Sequence, residues 1–494
     1  MTNIRITYSG LITFLISLSN IIPGIFFTII ITRNLSLQEF GTWGLIMSFV
    51  SYVLILDPIV SYWATREIAR GGKSGKTAFV SNGFFSLIGM IAYIIIISII
   101  GPNTDANQTV LWYGLLLIPS MFINKVLSAI NLGWKPHVTS YGLITIGISQ
   151  VPLAFIFVYV LQMGVVGVIV SVTIANILSN VVLSIYAYEK IKNEFQIKFF
   201  KKWIRLFWIP TFPGIVSLIP ILDIALFAVI TGSVEGIAFW SSAFVLSIII
   251  TNLASISRAT YPKLLQDNEK FNIKENISHM FYFAFPLLAF VLVFGRPALF
   301  LFNPIYEIAF PILVFQAIHV FFSAIAGVFQ FLLMGVEKID MDKNSKIKDY
   351  LKSKLFFVPS VLLIQYVMYI GIISILFTLN SDIPQIDLIF YWSIIFAITQ
   401  IPFTVYFYFV LKKNGFILLD KKRIIKYLTS SLVVFGLLFL LMESTLEYVE
   451  NIFEFVPNLL IYALIGLGGY LVITLGIDKN TRILASAILN EIRK

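Results

Sequence analysis

The sequence predicts an all-α polytopic membrane protein with about fourteen transmembrane helices. Three observations carry that prediction. Hydrophobic residues make up 59% of the 494-residue chain and charged residues only 12%, too few polar groups to cover a water-exposed surface. Apolar runs of about 20 residues, the length that crosses a hydrocarbon core, recur along the whole chain. Lysine and arginine gather in alternate connectors, as the positive-inside rule requires.

In chain order the predicted spans are 9–32, 41–63, 77–101, 110–133, 139–162, 165–188, 206–232, 236–257, 278–295, 309–335, 355–379, 388–411, 427–442 and 456–477. The first is too long for the apolar core of a signal peptide, and no small-residue cleavage site follows it, so it reads as a retained span. An unbroken helix over 139–188 would be about 75 Å long, so the chain must fold back, with Met163-Gly164 as the turn. The stretch 206–257 reverses at Gly232-Ser233-Val234-Glu235 by the same reasoning.

Charge tests the count. With the N-terminus assigned to the cytoplasm, the basic residues fall near Arg5, at 66–76, at Lys135, and then at 190–205, 258–274, 338–354, 412–426 and 479–494, all inner segments. Among 35 lysines and arginines the exceptions are Arg33 and Arg296 in outer loops and Lys125 inside a span. One missed or invented span would invert every later connector. The expected topology is therefore an even number of spans with both termini cytoplasmic in the cell membrane. The net charge of +10 then reflects topology rather than nucleic-acid binding.

Other chemistry is narrowed by composition. Without cysteine there are no disulfides, thiolate nucleophiles or Cys-based metal sites. His137, His279 and His319 are scattered, with no i, i+4 pair to suggest a metal site. No segment resembles a nucleotide-binding loop, and the connectors are too short for a soluble catalytic domain, so no cofactor is expected. The basic, aromatic stretch 191–208 reads as an interfacial helix or as an ordinary positive-inside linker. The tail 478–494 reads as a short amphipathic surface helix.

The chain divides into two comparable halves and an appendage: an N-terminal lobe of spans one to six (1–190), a C-terminal lobe of spans seven to twelve (191–411), and spans thirteen and fourteen with the tail (412–494). Each half opens with a proline-bearing helix, carrying Pro23 in one case and Pro210, Pro213 and Pro220 in the other. Each then turns on the outer side into a helix bearing glycine and tryptophan: Gln38-Glu39-Phe40-Gly41-Thr42-Trp43 and Val234-Glu235-Gly236-Ile237-Ala238-Phe239-Trp240. Equal helix number and like orientation suggest a parallel repeat about an axis along the membrane normal, a common transporter plan.

Two motifs add a resemblance. The run Thr32-Arg33-Asn34-Leu35-Ser36-Leu37-Gln38-Glu39-Phe40-Gly41-Thr42-Trp43, and Leu56-Asp57-Pro58 followed by Thr65-Arg66-Glu67-Ile68-Ala69-Arg70-Gly71, resemble the signature of polysaccharide flippases. These belong to the multidrug/oligosaccharidyl-lipid/polysaccharide exporter (MOP) superfamily. The family pattern has Leu-Gly in the first turn and Asp-Leu-Gly after span two, where this chain has Leu35-Ser36 and Asp57-Pro58-Ile59. The resemblance implies a V-shaped pair of six-helix lobes that carries polyisoprenyl (pyro)phosphate-linked glycans across the bilayer by alternating access, beside glycan-assembly enzymes.

Ionisable residues inside spans cost about 2.5–3.5 kcal/mol on insertion scales, which makes each a functional candidate. Asp57 in span two and Lys125 in span four fall at similar depth in the inner leaflet. They could pair, or Lys125 could attract a lipid-linked pyrophosphate; Lys125 snorkelling to the interface and Asp57 ordering a helix end explain them as well. Asp223, just after Pro220, would bind a coupling cation or accept backbone N–H groups freed by a kink. His319 reads as a cavity residue or a packed, hydrogen-bonded histidine. Arg33 and Arg296 read as an outer gate for anionic cargo or as interface anchors, and Arg66 and Arg70 as inner-mouth pyrophosphate contacts or topology signals. Asn20, Gln150, Gln365 and Gln400 would line a sugar-compatible cavity or bond neighbouring helices. Three prolines between 210 and 220 should interrupt span seven.

The competing functions are a drug exporter of the same superfamily, for which twelve helices would suffice, and a peptidoglycan-precursor flippase, for which more cavity cations than Lys125 would be expected. A membrane glycosyltransferase or polymerase is the reading from a different class. Such enzymes carry acidic or arginine-rich residues on a long external loop, whereas the longest here, around 443–454, is brief and has four glutamates and no recognisable motif.

Overall fold

A computed structural model describes residues 21–253, 273–335, 351–416, 419–483 and 486. Asn20, the first part of span one, most of the connectors at 258–274 and 338–354, and much of the tail lie outside the described residues. The described chain is all helical, and 13 helices are long and apolar enough to cross a membrane. They correspond to predicted spans two to fourteen. Span one is described as a 14-residue helix, Ile21–Asn34. The protein is thus a multi-pass membrane protein with the predicted helical plan.

The predicted turns are where the backbone reverses. Gln162 and Gly164 both take positive φ (49° and 56°), ending one helix and starting Gly164–Ile191. Gly232 closes Leu222–Thr231 in the left-handed region at φ 69°, a conformation that glycine adopts without a Cβ penalty. Ser36 starts Leu37–Val53 with a capping box, its hydroxyl accepting from the Glu39 N–H and the Glu39 carboxylate from the Ser36 N–H. The Ser36 that departs from the flippase pattern thus has a local structural use.

Several spans are broken rather than straight. Span two runs from Leu37 through a 3-10 turn at Leu54–Leu56 and restarts as Pro58–Ala69, so it extends beyond the predicted end at 63. Span seven is Trp208–Leu218, a 3-10 turn at Ile219–Ile221 and Leu222–Thr231, as its prolines predict. Span five ends in a widened π turn, Phe155–Val160, just after Pro152. Between spans six and seven the basic linker contains a nine-residue helix, Ile197–Arg205. It buries Trp203 completely while Lys201 and Lys202 stay exposed. Lys202 pairs with Glu67 at 2.6 Å.

The chain folds as two compact units. One comprises Ile22–Ser241 with Leu362–Ile389; the other holds Ser242–Val361 and Phe390–Lys494. In the first, small polar side chains tie span four to span six. Asn131 donates to the Leu183 carbonyl at 2.9 Å, Asn180 to that of Ser120 at 2.9 Å, and Asn124 to the Ser179 hydroxyl at 2.9 Å. Lipid offers no hydrophobic drive for helix association, so such bonds and close packing hold membrane bundles together. In the second unit, an aromatic seam of Tyr282, Phe294, Tyr427, Phe435 and Tyr470 joins spans nine, thirteen and fourteen.

Candidate functional site

The break in span two builds the first half of the site. Asp57 sits between the 3-10 turn and Pro58, where a proline removes one backbone donor. It is 7% exposed. One carboxylate oxygen, Oδ1, accepts from the Ser61 hydroxyl at 2.5 Å and from Asn82 Nδ2 at 3.3 Å. The same Asn82 amide donates to the Phe122 carbonyl at 2.7 Å, fixing the carboxylate to spans three and four. Lys125, one turn beyond Phe122, lies within electrostatic reach of Asp57. The lysine is itself exposed, and no ion pair among the described residues engages it. A buried carboxylate and an ammonium outside any ion pair among the described residues therefore lie within electrostatic reach of one another at the predicted membrane depth.

The break in span seven builds the second half. Tyr52, on the last turn before the span-two break, donates to the Ile221 carbonyl at 2.8 Å. Asp223 follows, 4% exposed. Its Oδ1 accepts the Ile224 N–H at 2.7 Å and its Oδ2 the Tyr369 hydroxyl at 2.7 Å. The carboxylate is thus both an acceptor for a backbone N–H at the break and an anchor for span eleven. Two interrupted helices meet at their interruptions, where freed backbone groups find side-chain partners.

Polar groups also gather around the turns at the other end of these helices. Asp105 accepts the Ser233 hydroxyl at 2.9 Å and the Val234 N–H at 2.8 Å, while its own N–H donates to the Gly232 carbonyl at 2.9 Å. Gln38 donates to the Asp105 carbonyl at 2.6 Å, and Gln385 accepts the Gly236 N–H at 2.8 Å. This clasp joins the turns after spans one, three, seven and eleven.

The remaining predicted residues are dispersed. Arg66 stands over the Tyr62 ring at 4.5 Å, Arg70 is exposed at the end of its helix, and Arg33 is half-buried in the last turn of Ile21–Asn34. His319 and Arg296 belong to the other unit. His319 is buried, stacked on Phe396 with centroids 3.3 Å apart, and its Nδ1 bonds the Phe396 carbonyl at 2.7 Å. Arg296 pairs with Glu307 at 2.6 Å. Gln365 and Gln400 are buried, and Gln400 donates to Thr404 at 3.1 Å. Gln150 is half-exposed. Sequence reasoning missed Ser61, Asn82, Tyr369 and Asp105. Ser61 was within reach, since i, i+4 places it over Asp57; the others are set by tertiary contacts.

Comparison with solved structures identifies the architecture. Over 94% of this chain and 98% of the other, it is similar to a structure described as "Lipid II flippase MurJ, inward closed conformation" (TM-score 0.68, 16% identity). It is also similar to an inward-facing multidrug resistance MATE family transporter of the MOP superfamily (TM-score 0.60, 14% identity, 80% of this chain and 95% of that one). A third similarity is to a MOP superfamily transporter from Pyrococcus furiosus (TM-score 0.57, 13% identity, 82% and 95%). The chain has the MOP-superfamily transporter fold. No protein-family model matches the sequence, and no curated protein does. On this MOP-type fold, Asp57 and Asp223 lie at helix breaks and Lys125 within a span, rather than in connectors.

Proposed function

We propose that the protein is a flippase that moves polyisoprenyl-linked oligosaccharide across the cell membrane by alternating access between two six-helix lobes. The observation that carries this reading is Lys125, an exposed ammonium inside a span beside the buried Asp57. An uncommitted cation facing hydrocarbon costs about 2.5–3.5 kcal/mol; facing a polar path, it provides a counter-ion for a pyrophosphate. In the empty state Asp57 balances Lys125. A pyrophosphate displaces that balance, and the sugar follows through the path while the isoprenoid tail stays in lipid. Breaks in spans two and seven give the lobes places to bend, and the clasp at Asp105 acts as the outer gate. Support also comes from the extent of the likeness to the lipid II flippase, 94% of this chain against 80–82% for the MATE and Pyrococcus transporters above. The larger share leaves less room for spans thirteen and fourteen to fall outside the match.

A deletion strain tests this. Loss of the protein should leave lipid-linked sugar in the inner leaflet, and wild-type complementation should clear it. Lys125→Ala should lower clearance about tenfold or more, the scale of one charge-assisted hydrogen bond, and Lys125→Arg should retain part of it. Full complementation by both Lys125→Ala and Asp57→Ala would sink the site assignment, and absence of accumulation on deletion would sink the cargo.

The likeness to MATE transporters favours a second reading, a small-molecule exporter. Raised sensitivity of the deletion strain to organic cations, with no glycan phenotype, would support it instead.

A further inference from the structure

We propose that the foot of spans nine, thirteen and fourteen is a binding site for a phosphate group carried on a lipid. Three helix ends converge there: the start of Ile273–Phe302, the start of Lys421–Thr445 and the end of Ile452–Ile477. Lys274 pairs with Asp420 at 3.2 Å, Lys426 donates to the Ile477 carbonyl at 3.3 Å, and Tyr427 donates to Asp478 at 2.9 Å. Inside this joint are two buried nitrogens without a hydrogen-bond partner among the described residues, His279 Nδ1 and Arg423 Nη2. His279 is only 7% exposed, and its ring and the Arg423 guanidinium lie within electrostatic reach of one another.

Buried polar atoms are nearly always paired, and leaving one unpaired costs about 1–3 kcal/mol. Two orphan nitrogens in one joint, one on a guanidinium and one on an imidazole that can present its proton there, call for a shared acceptor. The local carboxylates do not supply it. Asp478 lies within electrostatic reach of both groups but bonds neither orphan nitrogen; its Oδ2 accepts the Tyr427 hydroxyl and the hydroxyl and N–H of Thr481, at 2.9, 2.9 and 3.0 Å. Asp420 is taken by Lys274 and by the Arg423 N–H at 3.3 Å. Glu275, also in electrostatic reach of His279, is exposed. A phosphate supplies several acceptor oxygens and the negative charge that a guanidinium fork recognises. Exposed Lys422, Lys426 and Arg482 add positive charge around the rim.

A lipid rather than a free anion fits because the neighbouring surface is apolar. Ile425, Leu432 and Val433 on span thirteen and Leu471 and Val472 on span fourteen are about half exposed or more. An acyl or isoprenoid chain would lie along them with its headgroup at His279 and Arg423. The site is separate from Lys125 and Asp57, so failure at one leaves the other standing.

The test is a titration of the purified full-length protein in detergent, read by native mass spectrometry. The probes are dioctanoyl phosphatidylglycerol, farnesyl phosphate and dioctanoylglycerol. The phosphate-bearing lipids should bind and the diacylglycerol should not. Arg423→Gln and His279→Gln should each weaken phosphate-lipid binding about tenfold, with Arg423→Lys, which keeps the charge and loses the fork, in between. Tighter binding of farnesyl phosphate points to the cargo's carrier, and tighter binding of phosphatidylglycerol to a resident membrane lipid. Equal binding of all three probes, or unchanged binding in His279→Gln and Arg423→Lys, overturns the proposal. Those two variants keep the test open if Arg423→Gln does not fold.

Discussion

At the residue scale the buried carboxylates are defined by their partners. Asp223 accepts the Tyr369 hydroxyl on one oxygen, and removing that donor takes one hydrogen bond from a buried carboxylate. Tyr369→Phe should therefore lower stability by about 1–3 kcal/mol, seen as a fall in the thermal midpoint of the detergent-solubilised protein. An unchanged midpoint would mean that other groups satisfy Asp223 fully. Asp478, just beyond the last span, gives a pH dependence. Burial pushes its carboxyl up, but the Thr481 and Tyr427 hydroxyls, the Thr481 N–H and the Arg423 charge outweigh this and hold it below the usual carboxylate value. A carboxylate depressed in the folded state adds stability that is complete above its unfolded pKa of about 4 and is lost as pH falls through the folded value. The thermal midpoint of the wild type should thus drop more steeply below about pH 4 than that of Asp478→Asn, and parallel profiles would refute the linkage. Lys125, Asp57 and Asp223 were legible as candidates because a charge within an apolar run is visible in one dimension. Asn82 and Tyr369 were not, since only folding shows which of many span polar residues reaches a carboxylate.

Helix breaks and turns were legible where a residue type dictates backbone geometry. Three prolines announce the break in span seven, and glycine at 164 and 232 marks reversals that need positive φ. The span-two break was half legible: Pro58 was visible, but the helix restarts and runs on to Ala69, burying Ala64 and Ile68 in its last turns. The clasp at Asp105 was illegible, joining turns distant in sequence. It also explains Gly41, where any Cβ would overlap the Val234 carbonyl. Gly41→Ala should force the first turn away from the clasp, and Asp105→Ala should remove its side-chain acceptor. The chain has no cysteine, so Ala106→Cys, at a position 4% exposed beside the clasp, reports opening cleanly. Its maleimide labelling should rise about fivefold to tenfold in either background, as expected for losing about 1 kcal/mol of local stability. Labelling as slow as in the parent Ala106→Cys protein would remove the clasp from the gating scheme.

For the molecule as a whole, helix number was legible because hydropathy records solvation directly, and substrate was not, because one fold serves proteins described as a lipid II flippase and as multidrug transporters. Topology lies between these. Positive-inside parity places the starts of odd spans and the ends of even ones on one side. Within the second unit the starts of spans nine and thirteen meet the end of span fourteen through Lys274–Asp420 and Tyr427–Asp478. At the opposite end Phe300, near the close of span nine, packs on Tyr448 and on Phe455 at 5.0 and 5.6 Å, so the loop between the last two spans lies there. Such an alternation holds if the intervening spans ten to twelve are three crossings. Reporter fusions near residues 345 and 420 should then fall together on the cytoplasmic side, and fusions near 305 and 448 together on the outer side. A glycosylation or alkaline phosphatase reporter is active only after export and a fluorescent protein only inside, so paired fusions give opposite signals at each position. Fusions at 345 and 420 on different sides would require an odd number of crossings between them. That would break the parity argument and, with it, the two like-oriented lobes on which the proposed flippase cycle rests.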